Sequence, residues 1–132
     1  MSADGAAPEG IRRIFSGSAF EPKIGYCRAV VAGGFVHVSG TTGPGPDGTF
    51  PDDVTAQCRN ALAIVGRALE EAGSSFARVV RVTYILPDKA DFEPCWPALR
   101  EAFGDNPPAA TMIEAGLLTP AMKFEIEVTA LA

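Results

Sequence analysis

Glu125 stands on a segment, Met122 to Leu131, whose side chains alternate between two faces, and Lys123, Glu127 and Thr129 share its face. A carboxylate in a cleft can accept the proton of a water that attacks an electrophilic carbon. A second carboxylate nearby raises its pKa, and a lysine lowers it. An ordinary solvent-facing strand of mixed charge would read the same way. Ser39-Gly40-Thr41-Thr42 is a second place where chemistry can sit. Its hydroxyls and backbone N–H groups suit a carboxylate, and Gly40 admits close backbone approach. Plain turn chemistry accounts for the same residues. Cys27 lies between Tyr26 and Arg28. A neighbouring cation lowers a thiol's pKa, although a buried inert thiol is the simpler account. His37 is the single histidine, without a Cys or Asp partner at metal spacing, and it reads as a strand residue. No metal site, phosphate-binding loop, GxGxxG, HExxH or Ser-His-Asp arrangement is legible.

These residues need a scaffold, and 132 of them make one domain, expected over 11–132. The small, acidic and polar stretch 1–10 reads as a disordered tail and lacks the basic and apolar regions of a secretory signal. No window approaches the roughly 18 apolar residues of a membrane span. The net charge is −5 and no run of Lys or Arg occurs, which argues against nucleic acid as a partner. The three cysteines are odd in number and lack a CxxC spacing, which points to free thiols in a reducing cytoplasm.

The pattern predicts β-β-β-α-β-α-β-β. Ile11 to Phe15 is short and β-competent. Cys27–Val31 and Phe35–Ser39 flank a Gly33-Gly34 turn. Gly40 to Pro51, rich in Gly and Pro, reads as a long loop. Asp52 and Asp53 can cap a helix whose apolar face is Val54, Cys58, Ala61, Leu62, Val65 and Leu69, with Gln57 and the charged residues on the rest. Val79–Leu86 alternates, with Val80, Val82, Tyr84 and Leu86 on one face. A second helix is expected over Asp91–Phe103, with Phe92, Cys95, Trp96, Leu99 and Phe103 on one side. Pro97 places its regular part after about Pro94 to Pro97. Strands over Ala110–Ala115 and Met122–Leu131 close the chain. Two helices on one face of a mixed sheet of about six strands is an α+β layer fold. The other face mixes polar and apolar residues, which suits packing against identical subunits.

Three stretches resemble the Rid family (RidA, also called YjgF). They are Gly25-Tyr26-Cys-Arg-Ala-Val30 with Gly34-Phe-Val-His-Val-Ser-Gly-Thr-Thr42; Gln57 to Gly73 leading into Val79-Val-Arg-Val-Thr-Tyr-Ile; and Phe103-Gly with Pro108-Ala-Ala-Thr and Lys123-Phe-Glu-Ile-Glu. The resemblance covers roughly residues 10 to 132 and rests on order and spacing. It implies a chorismate-mutase-like fold, a homotrimer with ligand clefts between subunits, and cofactor-independent hydrolysis of enamines and imines. By the same resemblance Glu125 positions the attacking water, Tyr26 orients water or caps the ligand, and Ser39, Gly40, Thr42 and Thr111 bind substrate. The family's deaminases carry a carboxylate-clamping arginine where this chain has Ala110. Arg28 is the first candidate to replace it and Arg81 the second; an ion pair between subunits is the alternative role for Arg28. A substrate without a carboxylate is the other way out. A non-catalytic small-ligand-binding or partner-docking trimer is the second expectation, and a structural trimer with a vestigial cleft the third.

Overall fold

The computed structural model describes residues 9–132. Most of the tail expected over 1–10 lies outside the described residues; Glu9 and Gly10 form a turn into the first strand. The elements are β1 (Arg12–Ile14), β2 (Ala29–Ala32), β3 (Phe35–Thr42), α1 (Val54–Glu71), β4 (Val79–Leu86), α2 (Trp96–Phe103), β5 (Ala109–Glu114) and β6 (Glu125–Leu131). They follow the predicted order. The sheet runs β1-β2-β3-β6-β4-β5, antiparallel except for the β4–β5 pair. A parallel pair needs a crossover, and α2 supplies it. The turn between β2 and β3 uses Gly33 and Gly34, both at positive φ, as a tight hairpin requires.

The core lies between the sheet and the helices. The Asp53 side chain caps α1 by accepting from Ala56 N–H (3.1 Å). Val65 and Leu69 of α1 lie, fully buried, in one core cluster with Val36, Val82, Ile126 and Phe124. Truncating a leucine such as Leu69 to alanine would cost about 2–5 kcal/mol. The three cysteines are free and buried.

Four details depart from the sequence reading. β3 continues through Thr42, because a bulge between Val38 and Thr41 keeps the ladder going past Gly40. A second irregularity, between Val79 and Arg81, buries Val79 and leaves Val80 exposed. Strict alternation had put Val80 inside. The regular part of α2 begins at Trp96, as the sequence predicts, with Pro97 in its first turn and two short 3₁₀ turns, Lys89–Asp91 and Glu93–Cys95, before it. The departure is Trp96, expected on the apolar side with Cys95 and Leu99 but turned outward, 43% exposed, edge-on to Phe92. Finally, Gln57 is fully buried rather than on the polar side of α1. Its amide donates to Pro51 O (2.7 Å) and Ala121 O (2.9 Å), and its Oε1 accepts from Lys123 N–H (2.9 Å). One side chain thus ties the loop before α1 to the approach of β6. That approach, Met122 to Phe124, lies outside the ladder, which begins at Glu125.

Candidate functional site

Paired residues on neighbouring strands share a face, so the registers assign each candidate a side of the sheet. Thr42, Glu125 and Ile85 form one row; Glu127, Thr83 and Thr111 form the next on the same face. Val38, Val128, Val82 and Ala110 form a row on the helix-covered face. Position 110 and Glu125 therefore belong to opposite faces of one subunit.

Tyr26, Arg28, Gly40, Thr42 and Glu125 come together along one open hollow of about 1010 Å³. Its walls come from the segment before β2, the loop after β3, α1 and the approach to β6. Ser39 does not line it. Its hydroxyl donates to Cys27 O (2.7 Å), and it borders a second hollow of about 860 Å³ that shares Tyr26. Thr111 lies outside both hollows, on β5, where it accepts a hydrogen bond from Arg81. Among the described residues no cluster of His, Cys, Asp and Glu could hold a metal ion.

Arg28 organises the hollow. It is 6% exposed. Nε–H donates to Ser16 Oγ (3.3 Å), and Nη1 donates to Gly40 O (2.9 Å) and Thr41 Oγ1 (3.1 Å). Nη2 donates to the Tyr26 hydroxyl (3.3 Å) and faces Glu21 Oε2 at 3.6 Å. The guanidinium also lies over the Tyr26 ring, 5.4 Å from its centroid. A guanidinium has five N–H donors; four donate hydrogen bonds here, and the fifth faces the Glu21 carboxylate. Glu21 is itself buried and accepts from Ser16 N–H (3.2 Å) and Ser16 Oγ. The ion pair lies within the chain, rather than between subunits. Glu21 escaped the sequence reading; a glutamate beside Pro22 in a segment with no regular period gives no sign of burial.

Glu125 is half-buried. Burial raises its carboxyl above the ordinary value; Glu127 adds to the rise, and Arg28 opposes it. Lys123 takes no part in this balance: its Nζ donates to Asp52 O (2.6 Å). Gly40 makes room for the carboxylate, since a β-carbon there would lie 2.9 Å from Glu125 Oε2. A proton acceptor, a tyrosine hydroxyl and backbone held open by glycine thus border one cavity. That combination suits water-dependent chemistry on a small molecule.

The fold is that of a small α+β protein with a mixed six-stranded sheet covered by helices on one face. The chain belongs to the family described as Endoribonuclease L-PSP, the YjgF/RidA family, whose model matches residues 16–132. It is 32% identical to the 2-iminobutanoate/2-iminopropanoate deaminase of Rattus norvegicus, over 91% of this chain and 90% of that protein. It is 31% identical to a RutC family protein of Pyrococcus abyssi, over 89% of this chain and 94% of that protein. A solved structure of a YjgF/YER057c/UK114 family member from Mycobacterium tuberculosis superposes with a TM-score of 0.84 at 37% identity, covering 92% of this chain and 99% of the other. No described helix is long and apolar enough to cross a membrane.

Proposed function

We propose that this protein is a hydrolase of small imines or enamines of the Rid type, working without a cofactor. The observation that carries the reading is Glu125: a half-buried carboxylate held beside Gly40 in the same hollow as the Tyr26 hydroxyl. Burial and Glu127 make it a better proton acceptor than an exposed carboxylate. Kinship with a protein named 2-iminobutanoate/2-iminopropanoate deaminase supports the same class of reaction.

In the proposed reaction an enamine is first protonated on carbon to give the iminium ion. The oxygen of a water then attacks the iminium carbon, and the C=N π pair moves onto nitrogen. Glu125 takes the proton released by the water. Glu125 returns that proton to nitrogen, the C–N bond breaks as the carbinolamine's hydroxyl oxygen forms C=O and gives its own proton to Glu125, and ammonia and a carbonyl compound leave. Tyr26, its hydroxyl held by Arg28, orients the water or the leaving nitrogen. Gly40 and Thr42 line the approach.

Homotrimeric assembly belongs to the proposal. Glu125 and position 110 lie on opposite faces, and Thr111 sits two strands from Glu125, so these residues would meet only across a subunit boundary. The exposed helix-free face, with Phe35 and Ile113 each at least 40% exposed, supports burial against a neighbour. Two measurements test the reading. Imines released by a flavin oxidase should yield ammonia faster with the protein than in buffer, and sedimentation should give three chains per particle. A lone monomer, or no acceleration on any imine, would overturn it.

A binding role without turnover is the second reading, favoured by Ala110 standing where the family's deaminases have their arginine. Ligand-induced stabilisation with no product would select it. Ribonucleolysis, suggested by the family's description, draws no support from a chain of net charge −5 without a run of basic residues.

A further inference from the structure

The charge around the hollow decides which imines fit it, given the hydrolase reading above. The family's deaminase arginine is absent at Ala110, and Arg28 was the first candidate to take its place. Its geometry removes it from that role. Four of its five N–H donors bond within the chain, the fifth faces the buried Glu21 carboxylate at 3.6 Å, and that carboxylate offsets its charge. Clamping a substrate carboxylate would draw the guanidinium away from the Tyr26 hydroxyl and from the buried Glu21 carboxylate, which would then lack its cation.

The remaining charges lean the same way. Along the wall only Arg67 adds a second cation, and it is exposed on α1 one turn from Glu71, which lines the hollow too. Buried Glu21, outside this lining, neutralises Arg28, so Arg67 alone stands against Glu71 and Glu125 along the wall, an excess of one negative charge. Burial and Glu127 already lift the Glu125 carboxyl, so an anion bound beside it would be repelled further, whereas a cation would relieve it. Large apolar side chains make up one part of the lining: Phe15, Phe20, Ile24 and Leu118 all border the hollow, and each is at least 44% exposed.

We propose that the hollow takes the protonated imine of an amine that carries an apolar substituent and no carboxylate. The iminium charge pairs with Glu125, and the substituent covers Phe15, Phe20, Ile24 and Leu118. Imino acids are excluded by like-charge repulsion from Glu125 and by the commitment of Arg28 to Glu21 within its own chain.

Two measurements on the full-length protein test this. The first compares ammonia release from the imine of benzylamine, supplied by a flavin amine oxidase, with release from imino acids supplied by an amino-acid oxidase. The benzylamine imine should be hydrolysed faster by at least about tenfold, a low figure for one like-charge juxtaposition. Imino acids consumed as fast or faster would overturn the inference and leave the hydrolase reading standing. In that event, loss of the imino-acid rate in Arg81→Ala would trace the clamp to β4. The second measures thermal stabilisation by benzylammonium and by benzoate, without turnover. Benzylammonium should raise Tm and benzoate should not; equal or greater stabilisation by benzoate would overturn the inference. A protein that hydrolyses neither imine fails the hydrolase reading, and the thermal comparison still decides the charge preference.

Discussion

Gly40 and Glu125 are locked together by space: a β-carbon on Gly40 would lie 2.9 Å from Glu125 Oε2 and 3.0 Å from its carboxyl carbon. The atoms in the way are the far end of a side chain that can swing aside. Gly40→Ala should therefore displace the carboxylate while leaving the fold intact. We expect imine hydrolysis to fall by roughly tenfold or more, as small misplacements of catalytic groups do, with Tm little changed. Steady-state rates alongside a melting curve check this.

The pH dependence follows from the same carboxylate. Its pKa is raised by burial first and by Glu127 second, against the pull of Arg28. The base form is lost as pH falls through the raised value, so the acidic limb of kcat/KM should lie above that of an ordinary exposed carboxylate. Glu127→Gln removes a raising influence and should move the limb to lower pH. A limb that stays in place in this variant would remove Glu127 from the balance.

The stability effect of Glu125 has the opposite sign from that of a salt-bridged acid. Its folded-state pKa lies above the unfolded value, so the folded state binds the proton more tightly, and stability decreases as pH rises between the two. At neutral pH the buried charge opposes folding. Glu125→Gln should melt no lower than the parent at pH 7 and should flatten the pH dependence of Tm. A clear drop in Tm at pH 7 would mean that the carboxylate holds the fold together.

Gln57 is the main polar strut. Replacing it with alanine leaves Pro51 O, Ala121 O and Lys123 N–H without their partner. Each stranded buried group costs about 1–3 kcal/mol, partly recovered where water enters. Gln57→Ala should lower stability by roughly 2–4 kcal/mol in denaturant unfolding, and it should reduce activity because the approach of β6 to Glu125 loosens.

Arg28→Met should cost about 3–5 kcal/mol, since it strands the buried Glu21 carboxylate. The double change Arg28→Met with Glu21→Gln should recover part of that loss. A double variant no more stable than Arg28→Met would show that the two residues do not form an energetic pair.

Much of the scaffold was legible in the sequence because it rests on local rules. The Asp53 cap, the apolar face of α1 and the Gly33-Gly34 turn each follow from a few adjacent residues. What escaped depends on distant contacts. The irregularity at Val79–Arg81 inverts the side of Val80, and only the pairing of β4 with β6 sets it. Gln57 reads as a surface residue until three backbone groups from two distant segments converge on it. The site was half legible. Glu125, Tyr26, Gly40, Thr42 and Arg28 share the hollow, yet the role of Arg28 turned on Glu21, whose burial no local pattern signals. The placement of position 110 opposite Glu125 likewise needed the full sheet register.

The most direct test of Glu125 as proton acceptor is the rate of imine hydrolysis by Glu125→Gln, measured at saturating oxidase-generated imine with folding verified by its melting curve. Loss of a positioned general base should lower the rate by roughly 10²–10⁴-fold. A folded glutamine variant that hydrolyses imines as fast as the parent would contradict the account.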